Sequence, residues 1–187
     1  SSCGTTMTNE KYEDVTLLKE DKEFTFQTNL EKDVLDYPLS KGRKIYVSNE
    51  GDDNNDGLSE NKPIKTINKV NSLSLQAGDN ILFKKGETFT GALSFTSLSG
   101  EDNNPITFAS YGEGNKPIIT NKFSNVFSIE KGSNIVVRDL KFVGENKKRD
   151  ETTTCYNIIS FSYSFVKENK YKNIYICDNE VEGNGTD

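Results

Sequence analysis

Apolar and polar positions alternate in short runs along most of the chain after residue 80. Leu93 and Phe95 flank a serine, and Ile106 and Phe108 flank a threonine. Side chains two positions apart share one face of a strand, so these runs predict short strands with one buried face. Similar apolar pairs recur along the chain, and Gly, Asn, Ser and Pro separate the runs; the further pairs are Ile81 with Phe83 and Ile135 with Val137. Evenly spaced short strands are typical of a sandwich, a barrel or a solenoid.

An internal repeat separates these folds. The segment NIVVRDLKFVGEN, residues 134–146, aligns with NIYICDNEVEGNG, residues 173–185, at an offset of 173 − 134 = 39 residues. Stacked coils repeat a turn residue in phase with core residues, because each coil must turn above the corner of the coil below. The repeat therefore favours a solenoid. Its shared positions are Asn134 with Asn173, Ile135 with Ile174, Val137 with Ile176, Asp139 with Asp178, Phe142 with Val181 and Gly144 with Gly183.

A helical stripe precedes the strands. The stripe has apolar residues three positions apart, and it follows a predicted strand in RKIYVSNEG; its members are Ile64, Ile67, Val70 and Leu73. Pro63 suits a first helical turn and Gly78 suits the residue after a helix. The pattern predicts an amphipathic helix over residues 63–75 with Ile67 and Val70 buried.

Composition excludes several functions. The chain has 187 residues and a formal net charge of −6, and it lacks histidine and tryptophan. Without histidine it has no Ser-His-Asp or Cys-His catalysis and no His-ligated zinc. Nucleic acid requires a basic footprint, so an acidic chain is not expected to bind it. No apolar run approaches the length of a membrane span.

The first residues resemble the start of a bacterial lipoprotein. Cys3 follows two serines and precedes a glycine, and a polar stretch then extends to residue 22. We expect Cys3 to be lipidated and residues 1–22 to tether the lipid to the domain. Residues 23–43 form a linker or an extra strand, and residues 44–187 form the domain. The alternative is an ordinary cysteine without a lipid.

One loop carries a metal-like spacing. Asp52, Asn54 and Asp56 alternate in DDNNDG, as oxygen ligands do at the start of a calcium loop. The EF-hand pattern then needs glutamate where the chain has Pro63, so the loop is not an EF-hand. The favoured interpretation is a turn in which Asp and Asn side chains bond their own backbone. Calcium is the alternative.

Residues 44–187 resemble the N-terminal part of bacterial right-handed parallel β-helix proteins of the pectate-lyase-like superfamily. The resemblance lies in the order of IYVSNEGDDNNDGLSENKPIKTINKV, AGDNILFKKGETFTGALSF, NPITFASYGEGNKPII and NIVVRDLKFVG. It implies an all-β, right-handed parallel β-helix whose first coil is capped by the short helix. It also implies that the chain is an N-terminal fragment, incomplete at its C-terminal end.

The resemblance implies an exported, lipid-anchored or secreted protein that acts on a polysaccharide. A polysaccharide lyase is the first expectation and a glycoside hydrolase the second; the alternative is a surface β-helix that binds glycans without catalysis. Asp187, which ends the segment NGTD, is the candidate catalytic residue. Lys84, Lys85 and Glu87 are interpreted as solvated charges, and Asp139 and Asp178 as turn residues. Most of the catalytic site is expected in later coils, which would leave residues 1–187 inactive.

Two cysteines also allow two interpretations. Cys155 and Cys177 are 177 − 155 = 22 residues apart, near the length of one solenoid turn. They could bond on adjacent coils in an oxidising compartment, or they could be small buried residues. Thiols are the favoured interpretation, because the polar loop between the repeats leaves the register open.

Overall fold

The computed structural model describes residues 39–122, 125–144, 158–161 and 172–183. Within these ranges the chain forms short strands and one short helix. Their bounds, in chain order, are β1 Lys44–Val47, α1 Ile67–Asn71, β2 Asn80–Lys84, β3 Thr88–Thr90, β4 Leu93–Phe95, β5 Leu98–Ser99, β6 Ile106–Tyr111, β7 Ile118–Asn121, β8 Phe127–Ile129, β9 Gly132–Arg138, β10 Lys141–Gly144, β11 Ile159–Phe161, β12 Lys172–Cys177 and β13 Glu180–Gly183.

The strands stack into three parallel sheets. Sheet A has the order β1-β2-β6-β9-β12, with β5 beside β9, sheet B has β13-β10-β7-β3, and sheet C has β11-β8-β4. From β2 onward the chain visits sheets A, B and C in turn, with β5 and β6 both in sheet A, so it winds around a central core and returns to each sheet once per coil. The all-β parallel β-helix predicted from the sequence is therefore confirmed. Parallel crossovers of this kind are right-handed as a general rule.

The predicted register of the repeat is confirmed strand by strand. Ile174 lies beside Ile135 in sheet A, and Val181 lies beside Phe142 in sheet B. The repeated corner residues have positive φ: 53° at Asn134 and at Asn173, 54° at Asp139 and 51° at Asp178. Asn and Asp tolerate this left-handed conformation better than other residues with a Cβ. The sequence repeats these residue types because each coil bends at the same two points.

Phenylalanine rings run through the core across the coils. Phe95, Phe108, Phe127 and Phe142 form a chain of neighbours with ring centroids 5.4, 5.4 and 5.9 Å apart. The last two pairs meet edge to face, and contacts of this kind add to the free energy gained by burial. Isoleucine, valine and leucine, together with Phe83 and Phe89, fill the remaining core positions.

The capping helix is present but much shorter than predicted. Helix α1 covers Ile67–Asn71, whereas the periodicity predicted residues 63–75. Ile64 is extended and forms a parallel bridge with Val47. The helix begins only after Thr66, whose hydroxyl accepts a hydrogen bond from the N–H of Lys69. The apolar stripe thus serves two elements, a bridge and a helix.

The helix still covers the first coil. Ile67 and Val70 are buried, as predicted, and α1 packs against β4. The Asn71 amide donates to the carbonyl of Ala92 and accepts from the N–H of Ser94. The side chain of Asn71 thereby satisfies backbone groups at the start of sheet C, which would otherwise be an open edge.

The chain before β1 is described from residue 39. Arg43 forms a two-pronged ion pair with Asp79, through Nε at 2.9 Å and Nη2 at 2.6 Å. Ser40 bonds the side chain of Asn80 and the carbonyl of Pro105. The last residues of the predicted segment 23–43 are therefore attached to the β-helix. The predicted tether, residues 1–22, lies outside the described residues.

Candidate functional site

Charged and polar side chains collect where the strands of sheet A end. Because these strands are parallel, their last residues lie along one edge, which we call the carboxyl edge. The chain turns there through residues of positive φ in four successive coils: Gly86 at 79°, Gly112 at 79°, Asp139 at 54° and Asp178 at 51°. The turn residues place the neighbouring side chains in a row across the coils.

Lys84 and Glu87 join the first two coils at this edge. Lys84 Nζ lies 2.7 Å from a Glu50 carboxylate oxygen and 3.6 Å from Glu87. Glu87 accepts from the Ser48 hydroxyl at 2.9 Å and from the Asn49 N–H at 2.6 Å. The hydrogen bond with Glu50 raises the pKa of Lys84, and the same bond lowers the pKa of Glu50. Lys84 and Glu50 remain in contact with solvent, and their ion pair also links the end of β1 to β2.

Two lysines form ion pairs with the aspartates at the corners of later coils. Lys85, after β2, lies 3.0 Å from the carboxylate of Asp139, after β9, and the Ser110 hydroxyl donates to the same carboxylate. Lys116 donates to both the carbonyl and the carboxylate of Asp178, at 2.6 and 2.9 Å. The prediction that Asp139 and Asp178 are turn residues is confirmed by their positive φ. The ion pairs of Asp139 with Lys85 and of Asp178 with Lys116 were not predicted from the sequence.

Two tyrosines form the aromatic part of the carboxyl edge. Tyr46 and Tyr111 pack edge to face, with ring centroids 5.0 Å apart. Ile45 and Val47 belong to the core, so Tyr46 faces outward on β1. Burial raises the pKa of both phenols, and for Tyr111 nearby Lys84 opposes part of that rise. Both tyrosines are therefore neutral, hydroxyl-bearing groups at neutral pH.

The acidic loop DDNNDG forms turns, which is the favoured of the two interpretations drawn from its sequence. Asp52 accepts from the N–H and the amide of Asn54, both at 2.8 Å, and Asp56 accepts from the N–H of Leu58 at 2.9 Å. These are the hydrogen bonds of the predicted turns. Calcium binding by Asp52, Asn54 and Asp56 stays a prediction.

The acid between them, Asp53, has the larger structural role. It accepts from the N–H of Lys65 at 2.8 Å and from the N–H and hydroxyl of Thr66 at 2.9 and 2.6 Å. Burial by itself would raise the pKa of the Asp53 carboxyl group. The hydrogen bonds from Thr66 and Lys65 have the larger combined effect, so the pKa of Asp53 is lowered. The role of Asp53 could not be predicted from the sequence, because its partners lie 12 and 13 positions away.

The described coils supply no recognisable acid–base pair. Three described acids have a shifted pKa, and in each the pKa is lowered; they are Glu50, Asp53 and Asp102. A general acid needs a raised pKa, so the shifts are in the wrong direction for that role. Among the same residues, no group of three or more Cys, Asp or Glu side chains is placed to hold a metal ion. No helix in the described ranges is long and apolar enough to cross a membrane. The carboxyl edge joins and spaces the coils.

Several predicted sites lie outside the described residues. Asp187, Cys3 and Cys155 all fall in segments that the structure does not describe. Cys177 is buried at the end of β12, on the side of the strand opposite Ile176. The candidate catalytic residue, the lipidation and the choice between thiols and a disulfide therefore stay predictions.

Comparison with known proteins identifies carbohydrate-active relatives. No protein-family model matches the chain. A curated lacto-N-biosidase of Bifidobacterium longum is 40% identical over an alignment of 86 residues, and the match covers 43% of this chain and 5% of that protein. The crystal structure of a GH136 lacto-N-biosidase from Eubacterium ramulus matches with a TM-score of 0.51 and 28% identity, covering 56% of this chain and 20% of that chain. This chain therefore spans only a small part of each relative's length.

A second solved structure shows a weaker likeness. It is described as a rhamnogalacturonan lyase and matches with a TM-score of 0.47 and 24% identity over 58% of this chain. Such values are too low to bear on function. The two lacto-N-biosidases are more similar to this chain in sequence, at 40% and 28% identity.

Proposed function

We propose that this chain is part of a glycoside hydrolase. The chain resembles two lacto-N-biosidases, and we infer from that resemblance that it acts on a glycan. The observation that carries the proposal is agreement between sequence and structure. The 40% identity to the curated lacto-N-biosidase and the likeness to the solved one point to the same activity. The sequence favoured a polysaccharide lyase over a glycoside hydrolase. This proposal puts the hydrolase first.

The described coils support the site and do not perform the chemistry. Most glycoside hydrolases use two carboxyl groups, about 5–5.5 Å apart for retention or about 6.5–9.5 Å apart for inversion. At the carboxyl edge, by contrast, Glu87 and Asp139 are engaged by lysines and by hydroxyl or N–H donors. We place the catalytic acids in coils that follow β13, with Asp187 as the nearest candidate.

The test compares residues 1–187 with the longest natural product of the gene. Both are incubated with a chromogenic lacto-N-bioside, and release of the chromophore is followed by absorbance. We expect turnover by the longer product and none by residues 1–187. A parallel assay on polygalacturonate, with and without calcium, follows unsaturated product. Lyase activity without hydrolysis of the lacto-N-bioside would contradict the proposal.

The second candidate is a surface β-helix that binds glycans without cleaving them. The engaged carboxylates of the carboxyl edge favour it, because they leave no acid–base pair among the described residues. Titration calorimetry with the same lacto-N-bioside separates the two. Binding by the longer product without turnover would favour this candidate over the hydrolase.

We also propose that the protein is exported and anchored through a lipid on Cys3. Two small residues before Cys3, a glycine after it and the polar residues up to 22 support this proposal. The test is mass spectrometry of protein extracted from membranes of cells that express it with its natural signal sequence. A diacylglyceryl mass on the peptide that contains Cys3 is expected. An unmodified Cys3 on soluble protein would contradict the proposal.

A further inference from the structure

Sheet A is buried on both of its faces. Its inward residues, such as Phe108 and Val137, belong to the core. The residues that alternate with them point away from the core, because strand side chains alternate, yet these are buried as well. Their exposed fractions are 2% at Leu82, 2% at Thr107, 0% at Ala109, 1% at Val136 and 3% at Cys177. We call these five residues the outer face of sheet A.

The sequence of the strands agrees with burial on two sides. The apolar residues ILF in β2 and IVV in β9 are consecutive, which is typical of strands that are covered on both faces. Every described strand belongs to one of the three sheets around the core, and α1 packs against β4 in sheet C. None of these elements lies over the outer face of sheet A, so another segment must cover it.

The chain before β1 passes over one end of this face. Asn80, at the start of β2, pairs with Thr107 and points to the same side of the sheet. The Asn80 amide donates to the carbonyls of Ser40 and Arg43, at 3.0 and 3.2 Å. The Ser40 hydroxyl donates to the carbonyl of Pro105, just before β6, at 2.8 Å. The residues that precede position 39 therefore join the described chain beside the outer face.

Arg138 indicates which charge the covering segment carries. Arg138 follows Val137 in β9, so its side chain lies on the same side of the sheet as that of Val136. Its Nε is buried, and no residue in the described ranges accepts a hydrogen bond from it. A buried N–H group without an acceptor is costly, and a carboxylate is the acceptor that suits a guanidinium best. The covering segment is therefore expected to bring an acid to this point.

The pattern of residues 28–38 fits this role. Leu30, Val34 and Tyr37 are four and three positions apart, which places them on one face of a helix. Pro38 cannot continue a helix, so the pattern ends at Tyr37. The outer face extends over β2, β6, β9 and β12, which is three strand spacings or about 14 Å. Ten helical residues are about 15 Å long and are sufficient to cross it.

The charge of the segment also matches. Residues 28–38 contain three acids and one lysine, so their net charge is 1 − 3 = −2. Asp33 comes three positions after Leu30 and four before Tyr37, so it borders the apolar face of the helix. An acid at the border of an apolar face can reach a basic group at the border of the apolar surface below it, and Arg138 is such a group.

We propose that residues 28–37 form a short amphipathic helix that lies across the outer face of sheet A. Leu30, Val34 and Tyr37 pack on this face, and Asp33 pairs with Arg138. The outer face is then closed to a glycan or a partner protein. The inference gives a role to part of the segment 23–43, which the sequence left as a linker or an extra strand. It does not depend on the proposed function.

The test measures protection of the outer face in the full chain. Ala109→Cys places a thiol in the middle of this face, and its labelling rate is resolved from that of the native cysteines by peptide mass spectrometry. Leu30→Lys with Val34→Lys puts charges on the apolar face of the segment. We expect this pair to speed labelling at position 109 by at least about tenfold, because lysines there prevent the helix from staying on an apolar surface.

Two controls separate release of the segment from other effects. Asn29→Lys with Asp36→Asn makes the same change in net charge on the opposite side of the predicted helix, and labelling at position 109 should not change. Val137→Cys reports on the core from the inward side of β9, where Val137 is buried. It should stay protected in every variant. If the lysine pair unfolds the chain and exposes position 137, Val34→Ala is the milder variant, with an expected increase of at least about threefold at position 109.

The pairing of Asp33 with Arg138 has its own test. Asp33→Asn and Arg138→Met should each speed labelling at position 109, and the double variant should be no faster than the faster of the two. Partners in one ion pair give such non-additive effects. Effects that multiply in the double variant would overturn the pairing.

Three results would overturn the cover itself. The first is labelling of Ala109→Cys in the parent chain as fast as that of Leu58→Cys, whose site is 50% exposed. The second is equal labelling at position 109 with and without the substitutions at Leu30 and Val34, which would assign the cover to another segment. The third is protection that rises with protein concentration together with a dimer in sedimentation, which would assign it to a second copy of the chain.

Discussion

Replacing Phe127 should test whether the aromatic row holds the coils together. Phe127 is completely buried, and its ring lies 5.4 Å from that of Phe108 and 5.9 Å from that of Phe142. Phe127→Ala removes the ring and leaves a cavity between two coils, which costs about 3–5 kcal/mol in protein cores. Of this, each lost edge-to-face contact accounts for about 0.5–1.5 kcal/mol. Total stabilities are only about 5–15 kcal/mol, so the loss is a large fraction.

The free energy of unfolding is measured by urea denaturation followed by circular dichroism, because the chain has no tryptophan. Phe127→Leu keeps most of the volume and should lose less than about 1.5 kcal/mol. Leu58→Ala, at a half-exposed site, should change stability by no more than about 0.5 kcal/mol. A loss below about 1 kcal/mol in Phe127→Ala, or equal losses in the alanine and leucine variants, would refute the reasoning.

The remaining predictions concern the loop and the corners. Asp53 has a lowered folded-state pKa, so its contribution is present above its ordinary pKa of 3.8 and is lost as pH falls through the lower folded value. Asp53→Asn should therefore weaken the acid dependence of unfolding and cost about 1 kcal/mol at neutral pH. Asn134→Ala should cost about 1–2 kcal/mol more than Asn134→Gly, because only glycine accepts a φ of 53° without strain. Calcium and a chelator should leave the melting temperature unchanged, since the loop of Asp52, Asn54 and Asp56 is closed by its own hydrogen bonds.

Each of these has its own control. Asp56→Asn, in the same loop, should keep the wild-type acid dependence if Asp53 is the titrating group. Equal costs for alanine and glycine at position 134 would show that the side-chain hydrogen bonds of Asn134 with Gly100 and Asn173, and not the backbone conformation, set the stability there. A rise in melting temperature with calcium that disappears in Asp52→Asn would support a metal site there.

The sequence by itself determined the coil and its period. Asn134, Asp139 and their repeats at 173 and 178 show both the phase and the corners, because positive φ is tolerated by few residue types and must recur wherever the coil bends. The alternation of apolar residues identified the buried face of each strand, since strand side chains alternate by geometry. Ile67 and Val70 are the buried residues of the short helix. They were predicted from their three-residue spacing, which places them on one face of a helix.

Only the tertiary structure decided how the charges are partnered and where the helix begins. Lys85 meets Asp139 and Lys116 meets Asp178 because coil stacking brings their corners together, while along the chain the second pair is 62 residues apart. Asp53 reaches the backbone of Lys65 and Thr66 because the loop folds back, and the helix begins only after these residues, at Ile67. Periodicity records which side chains face the core. It carries no information on which polar groups meet across coils, because that depends on the stacking distance and on the lengths of the loops between strands.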